Sequence, residues 1–359
     1  MFYIKQLKLL NFRCHRMKEL SFLPKVNIIK GKNASGKTSV VEAIHCLGFG
    51  KSYKTNSNVE MISIGVENSV IQADITKNNK ADNILLVITP NGKTIERNNK
   101  PYPRLSDYLG YFNVVVFSQE DYRIIKGTPR ERRGFLDLNI SQFSLEYLNS
   151  LINYRKILKQ RNEMLKMIAE KQSRDYILLK TLTEQLIKVG KVIIHERKRF
   201  VAQINPLLTL KTKQISLGKE EGMILYTPNT EAEELERTFL KKEASEIMMQ
   251  TTLFGPHRDD FQIIVNNQKA EAYASQGQQR TLLLAAKLAL TDLLGEKETP
   301  LIVILDDVFS ELDNNRQNQI LEMINNKYQI FITTTNIEGF SQKLLERSHI
   351  INIEEEETL

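Results

Sequence analysis

Gly31-Lys32-Asn33-Ala34-Ser35-Gly36-Lys37-Thr38 has the spacing G-x-x-x-x-G-K-T. It follows a short apolar run, Val26 to Ile29, and precedes a stretch with helical character, Ser39 to Leu47. A strand before and a helix after is the context in which this spacing forms a phosphate loop. Glycines let backbone N–H groups turn inward around phosphate oxygens, at the positive end of the helix that follows. All eight residues are therefore candidates for holding a nucleotide. Lys37 would reach the β and γ phosphates, and the Thr38 hydroxyl would ligate Mg²⁺.

A loop of this kind needs an acid at the end of a neighbouring strand to hold the magnesium through water. Leu301-Ile302-Val303-Ile304-Leu305-Asp306-Asp307 supplies it. Asp306 is the predicted metal-holding carboxylate, and Asp307 is placed to orient or deprotonate an attacking water. The two motifs sit near opposite ends of the chain. The nucleotide fold must then be split, with its halves closing into one sheet around whatever lies between. Simple P-loop kinases and small GTPases place these motifs much nearer each other.

The intervening sequence divides by character. Val70 to Ile75, Ile84 to Thr89 and Asn113 to Phe117 are β-rich, with Asn91-Gly92 a hairpin signal between two strands. From about residue 130 helix formers dominate. Leu151, Leu158 and Leu165 recur every seven residues, and Leu179, Leu182, Leu186, Val189 and Ile193 step by three and four. This pattern predicts two long helices forming an antiparallel hairpin, joined near residues 172–175. Phe331 to Thr335 follows the acidic strand one helix later, at βαβ spacing. The expected architecture is α/β: a nucleotide-binding head in two parts, 1–125 and 250–359, with a helical lobe over 126–249.

Ala274-Ser275-Gln276-Gly277-Gln278-Gln279-Arg280, ahead of a helix expected over Thr281 to Leu294, resembles the signature loop of ABC-type ATPases. Ser310-Glu311-Leu312-Asp313 resembles the D-loop of that class. There the signature loop binds the γ-phosphate held by a second subunit, so the site is completed in a dimer. The resemblance makes Ser275, Gly277 and Gln278 nucleotide-binding candidates and names the nucleotide as ATP. More closely, the chain resembles the RecF family of recombination-mediator ATPases. The stretches that carry this are Asn11-Phe12-Arg13, the run from Pro129 to Asp137, Gln160-Arg161-Asn162, Gly255-Pro256-His257-Arg258-Asp259-Asp260, Ser275 to Arg280, and Leu305 to Asp313. The resemblance implies an SMC-like head, ATP-dependent homodimerisation and DNA binding at single-strand/double-strand junctions. It also implies work with RecR and RecO in loading RecA, and a part in SOS induction. Two departures from the wider ABC pattern stand out. Asp307 replaces a glutamate, and its shorter arm implies slow hydrolysis. Thr333-Thr334-Thr335 stand where transporters place a switch histidine, so a hydroxyl would have to sense the γ-phosphate. By the same resemblance Gln119, after the strand Asn113 to Phe117, is either the Q-loop ligand for Mg²⁺ or a plain loop glutamine.

Charge and composition fit such a protein. Lys and Arg number 50 against 43 acids, a net +7 that permits a polyanionic partner. Arg130, Arg132, Arg133, Arg155 and Lys159 are candidate DNA contacts, with Lys156, Arg161, Arg197, Lys198 and Arg199 in the same basic group. Such a surface binds phosphates without reading bases, while Arg132, Arg133 and Arg258, lying in the family-like stretches, are open to a structural or nucleotide-coupled role instead of DNA contact. No apolar run approaches the ~20 residues of a membrane helix. Two cysteines cannot build a disulfide framework, and a reduced, cytoplasmic setting is expected. His257 reads as a hydrogen-bonded structural histidine. An alternative is a DNA-processing ATPase of the SMC/OLD type with another output. About 60 residues of hairpin span only a few tens of ångströms at 1.5 Å per residue, too short for long coiled arms, and no nuclease carboxylate cluster is evident. A small-molecule P-loop kinase would leave the signature and D-loop without a role.

Overall fold

The computed structural model describes residues 2–296, 299–309, 312, 314–324 and 328–353. The expected D-loop residues Ser310, Glu311 and Asp313, and the glutamates 354–357, lie outside the described residues. The chain divides into two compact units, Met1–Asp121 with Ala286–Leu359, and Tyr122–Ala285.

The first unit holds two sheets. One has five strands in the order Ser348–Asn352, Val26–Lys30, Gln329–Thr334, Leu301–Asp306, Asn113–Phe117, every neighbouring pair parallel. Ile28, Ile29, Val303, Ile304, Leu305, Phe331 and Ile332 are all fully buried. Strands covered on both faces read as continuous apolar runs, which is why these segments show no alternation. The acidic strand is not the direct neighbour of the phosphate-loop strand, as expected from sequence. Gln329–Thr334 lies between them, pairing Thr334 with Lys30 on one side and Thr333 with Asp306 on the other.

The other sheet is antiparallel, in the order His15–Ser21, Phe2–Phe12, Ser69–Lys77, Lys80–Thr89, Gly92–Arg97, Lys100–Pro101. Buried Gln329 ties the two sheets together. Its Oε1 accepts from the Ile4 N–H at 2.8 Å, and its Nε2 donates to the carbonyls of Ile4 and Leu23 at 2.9 Å each. Thr89 pairs with Gly92, so the turn residues are Pro90-Asn91 rather than the expected Asn91-Gly92. Three other tight hairpins are made by asparagine pairs. Asn78-Asn79, Asn98-Asn99 and, in the second unit, Asn266-Asn267 all have positive φ at both positions, the two-residue primed turn that suits strand twist. Asparagine reaches this conformation more readily than most non-glycine residues.

The second unit contains the helical hairpin, Leu145–Ala169 and Tyr176–Ile215. Its apolar seam follows the 3.6-residue period of a straight helix. Leu151, Tyr154, Arg161, Leu165 and Ile168 are buried, while Leu158 of the expected heptad series is only half-buried. Met164, Leu165, Ile168, Leu179 and Leu182 form one packed cluster between the two helices. A three-stranded sheet, Gln268–Lys269, Asp260–Val265, Gly222–Thr227, belongs to the same unit. Its Gly222–Thr227 strand is guarded at the edge by Asn205. That side chain accepts from the Ile224 N–H at 2.8 Å and donates to the Ile224 carbonyl at 2.9 Å.

Candidate nucleotide site

The strand Val26–Lys30 delivers the chain into the phosphate loop, and the helix Lys37–Phe49 carries it away. Two glycines are required by the backbone. Gly36 has φ +87°, and a Cβ there would lie 2.4 Å from His15 Nε2 and 2.7 Å from Cys14 Sγ. At Gly31 a Cβ would lie 2.5 Å from both the Ile353 carbonyl and Ser35 Oγ. Ala34, at φ +67°, adds a further left-handed residue to the loop. Ser35 is 5 % exposed and its hydroxyl has no hydrogen-bond partner. A buried hydroxyl left unpaired in a loop of inward N–H groups fits a phosphate oxygen.

Lys37 Nζ donates to the carbonyls of Gly31 at 2.8 Å and Lys32 at 2.6 Å, so the ammonium sits inside the loop's curve. Burial pulls its pKa below the ordinary lysine value, and the charges of Asp307 and Asp306 act against that pull. Lys32 and Asn33 occupy the variable positions of the loop, both exposed or half-exposed.

Asp306, 6 % exposed, lies across from Thr38. Thr38 Oγ1 donates to Asp306 Oδ1 at 3.0 Å, which brings together the two residues expected to hold magnesium. Two further hydroxyls reach the same carboxylate. Thr333 Oγ1 donates to Oδ1 at 2.8 Å, and Tyr53 OH donates to Oδ2 at 2.7 Å. Burial, reinforced by the Asp306 charge, raises the Tyr53 pKa well above its usual value, so the phenol remains a donor. Asp307 follows with φ +55°, a left-handed conformation rare outside glycine, asparagine and aspartate, and its N–H donates to Thr333 Oγ1 at 2.9 Å. Thr333 therefore links the two acids instead of presenting a free hydroxyl, and Thr334 Oγ1 donates to the Asn336 carbonyl at 2.7 Å. Gln119 is exposed and opens the 3₁₀ turn Gln119–Tyr122, two residues after Phe117, which pairs with Leu305. It stands at the same carboxyl end of the sheet as Asp306.

Tyr53 carries no sequence signal; it occupies an ordinary-looking loop. The nearest clue is local. Gly50 ends the helix at φ +62°, and Ser52 Oγ and Arg13 both bond Glu42, so the loop that carries Tyr53 is pinned on either side.

In the second unit, the helix with the signature residues starts at Gln276, five residues before the expected Thr281. Ser275 is its cap. Gln278 N–H donates to Ser275 Oγ at 3.3 Å, and Ser275 N–H donates to Gln278 Oε1 at 2.9 Å, a reciprocal capping box. Gly277 is exposed, and a Cβ there would meet nothing nearer than Ser275 Oγ at 3.9 Å. Among the described residues nothing demands a glycine at that position.

The basic candidates separate into two groups. Arg132 is buried, bidentate to Asp260 at 2.7 and 2.8 Å, and bonded to the Gly127 carbonyl. Arg133 donates to the Asp259 carbonyl at 2.7 Å. Arg197 is fully buried among Asp137, Asp259, Tyr147 and the Pro256 carbonyl, and Arg161 is fully buried against Glu246, Thr252 and Thr183. Arg132, Arg161 and Arg197 thus bind the second unit together, contrary to their expected place on a basic surface. Once a guanidinium is buried it must keep its carboxylate and hydrogen-bond partners, because breaking the pair leaves an uncompensated buried charge. Arg130 and Lys159 are exposed, and Arg155 is exposed with one donor on Asp137. His257 is structural as expected: its Nδ1 bonds Tyr154 OH at 2.7 Å and its Nε2 bonds the Thr252 carbonyl, and burial lowers its pKa to about 4. Among the described residues no helix is long and apolar enough to cross a membrane.

Comparison with known proteins agrees with this arrangement. The family model described as RecF/RecN/SMC N terminal domain matches residues 3–358. A DNA replication and repair protein RecF from Lactobacillus johnsonii is 38 % identical over 98 % of this chain and 97 % of its own length. Its counterpart from Shouchella clausii is also 38 % identical, over 98 % of both chains. A solved structure of the recombination mediator protein RecF-ATPrS in the RecFOR pathway superposes with a TM-score of 0.86 at 31 % identity, covering 95 % of this chain and 94 % of that one. An Smc head domain from Pyrococcus furiosus, at 16 % identity and a TM-score of 0.53 over 94 % of this chain and 90 % of its own, shares the fold alone. The fold is thus a mixed α/β head of the ABC/SMC kind with a helical insertion, and the chain belongs to the RecF family of DNA replication and repair ATPases.

Proposed function

We propose that this chain is an ATP-switched DNA clamp of recombinational repair and replication. ATP joins two copies, the dimer holds DNA at a gap junction, and slow hydrolysis releases it. With RecR and RecO it would promote RecA loading and SOS induction, in the cytoplasm. Residues 1–125 and 250–359 would serve as the ATPase head and 126–249 as its helical lobe.

The observation that carries this reading is a pair of half-sites. In the first, Lys37 sits in the curve of the loop, Ser35 keeps a buried hydroxyl without a partner and Thr38 meets Asp306, an arrangement that would suit a phosphate and its metal. Ser275 and Gly277 form a capped, open helix N-terminus with no internal reason for the glycine. A helix N-terminus of this form suits the γ-phosphate of a nucleotide held by a second copy. Thr38 and Asp306 would hold Mg²⁺, with Gln119 at the same sheet edge; when bound, the ion neutralises charge on the β and γ phosphates. Lys37 would steady the same oxygens, and Asp307 would position the attacking water. Of the five candidate DNA contacts, Arg130, Arg155 and Lys159 are exposed and would meet DNA phosphates.

Light scattering on Asp307→Asn, with and without Mg²⁺-ATP, tests the dimer. The variant should bind ATP without turnover and double in mass, and Ser275→Arg should abolish the doubling. A monomer with ATP demonstrably bound would refute the composite site.

A further inference from the structure

The Asp306 carboxylate accepts three side-chain hydroxyls, and two of them come from residues outside the phosphate-loop pattern. Oδ1 takes Thr38 and Thr333, and Oδ2 takes Tyr53. A carboxyl group turns easily about its last bond, a broad and roughly two-fold torsion, so only hydrogen bonds decide which oxygen faces where. We infer that Tyr53 and Thr333 are positioning residues for the two acids of this site. Tyr53 fixes the Asp306 oxygen that faces Thr38, and Thr333 locks the Asp307 backbone against that same oxygen.

The surroundings show how each is held. Tyr53 is packed edge-on to His45 at 5.3 Å between ring centres, and the carbonyl of Lys51 bonds His45 Nδ1 at 2.7 Å. The loop after the helix is thus anchored to the helix that begins at the phosphate loop. Thr333 stands opposite Asp306 in the ladder, on the strand that separates the acidic strand from the phosphate-loop strand. One hydroxyl there donates to the first acid and accepts from the backbone of the second. Without it, the Asp307 N–H loses the partner that holds its left-handed turn, and Asp306 Oδ1 keeps only Thr38. Groups that hydrogen-bond a metal-holding carboxylate commonly affect metal affinity 10- to 100-fold.

This inference rests on the ATPase reading, and the test separates the two. Equilibrium binding of a fluorescent ATP analogue is titrated with Mg²⁺, and repeated in chelator, for wild type, Tyr53→Phe, Thr333→Val and Thr333→Ser. In chelator the four proteins should bind within about twofold of one another. Tyr53→Phe and Thr333→Val should each need roughly tenfold more Mg²⁺ for half-effect, and Thr333→Ser should match wild type. In turnover, Thr333→Val should lower kcat at least tenfold at unchanged KM. Wild-type Mg²⁺ half-points in Tyr53→Phe and Thr333→Val would overturn the inference. No Mg²⁺ effect in wild type itself would instead overturn the ATPase reading. Should Tyr53→Phe not fold, the Thr333→Val and Thr333→Ser pair decides: equal half-points in both refute the role.

Discussion

Mild acid should loosen the helix that supports the phosphate loop, and His45 sets how much. This side chain is 2 % exposed, stacked on Phe49 at 4.6 Å between ring centres, with Nδ1 bonded to the Lys51 carbonyl. Burial lowers its pKa to about 3; the Lys51 carbonyl opposes the shift, while Lys287 and Lys93 add to it. The unfolded chain, with an ordinary histidine, takes up its proton near pH 6.5, well before the folded one. Stability from this group is therefore complete above about pH 6.5 and lost as the pH falls toward about 3. Between pH 7.5 and 5.0 the loss is about 2 kcal/mol, or about 30-fold in the opening equilibrium. Hydrogen exchange read by mass spectrometry on peptides from the helix Lys37–Phe49 measures that equilibrium in the first unit alone, after correction for the intrinsic pH dependence of exchange. His45→Gln removes the titration while its amide can still donate to the Lys51 carbonyl. Wild type should lose about 30-fold more protection than His45→Gln over this interval. Equal pH slopes in the two proteins would refute the reasoning.

Two other perturbations probe packing and the signature loop. Arg161→Met leaves Glu246, fully buried, with the Leu253 N–H as its one donor among the described residues, and should destabilise the second unit by about 3–5 kcal/mol in urea unfolding, with much of the loss restored by adding Glu246→Leu. Gly277→Ala meets no obstruction in the chain and should change stability by less than about 1 kcal/mol, while abolishing ATP-driven mass doubling; doubling in that variant would mean no partner approaches the glycine.

Much of the nucleotide site is written in local sequence because its chemistry is local. Gly31 to Thr38 forms within one strand–loop–helix turn, and the apolar run ending at Asp306 needs burial on both faces. Which strand lies beside which is a property of the closed sheet, so the strand at Phe331 to Thr335 was legible but its place between the two motif strands was not. Tyr53 was hidden for the same reason, and Thr333, singled out only as standing where a switch histidine would, gave no sign of its partner, since each meets Asp306 only after the sheet forms. The arginines show the opposite failure. Charge pattern marks Arg132, Arg161 and Arg197 as surface, yet each finds its carboxylate far along the chain, at Asp260, Glu246, or Asp137 and Asp259. The paired asparagines at three hairpins were visible in the sequence but rank below Asn-Gly as turn signals.

Affinity for a gapped DNA duplex, measured by fluorescence anisotropy on Asp307→Asn with and without Mg²⁺-ATP at fixed salt, tests the clamp most directly. ATP should tighten binding at least tenfold, and Lys37→Ala or Ser275→Arg in the same background should remove the ATP effect. Equal affinity in both conditions, with ATP shown to be bound, would contradict it.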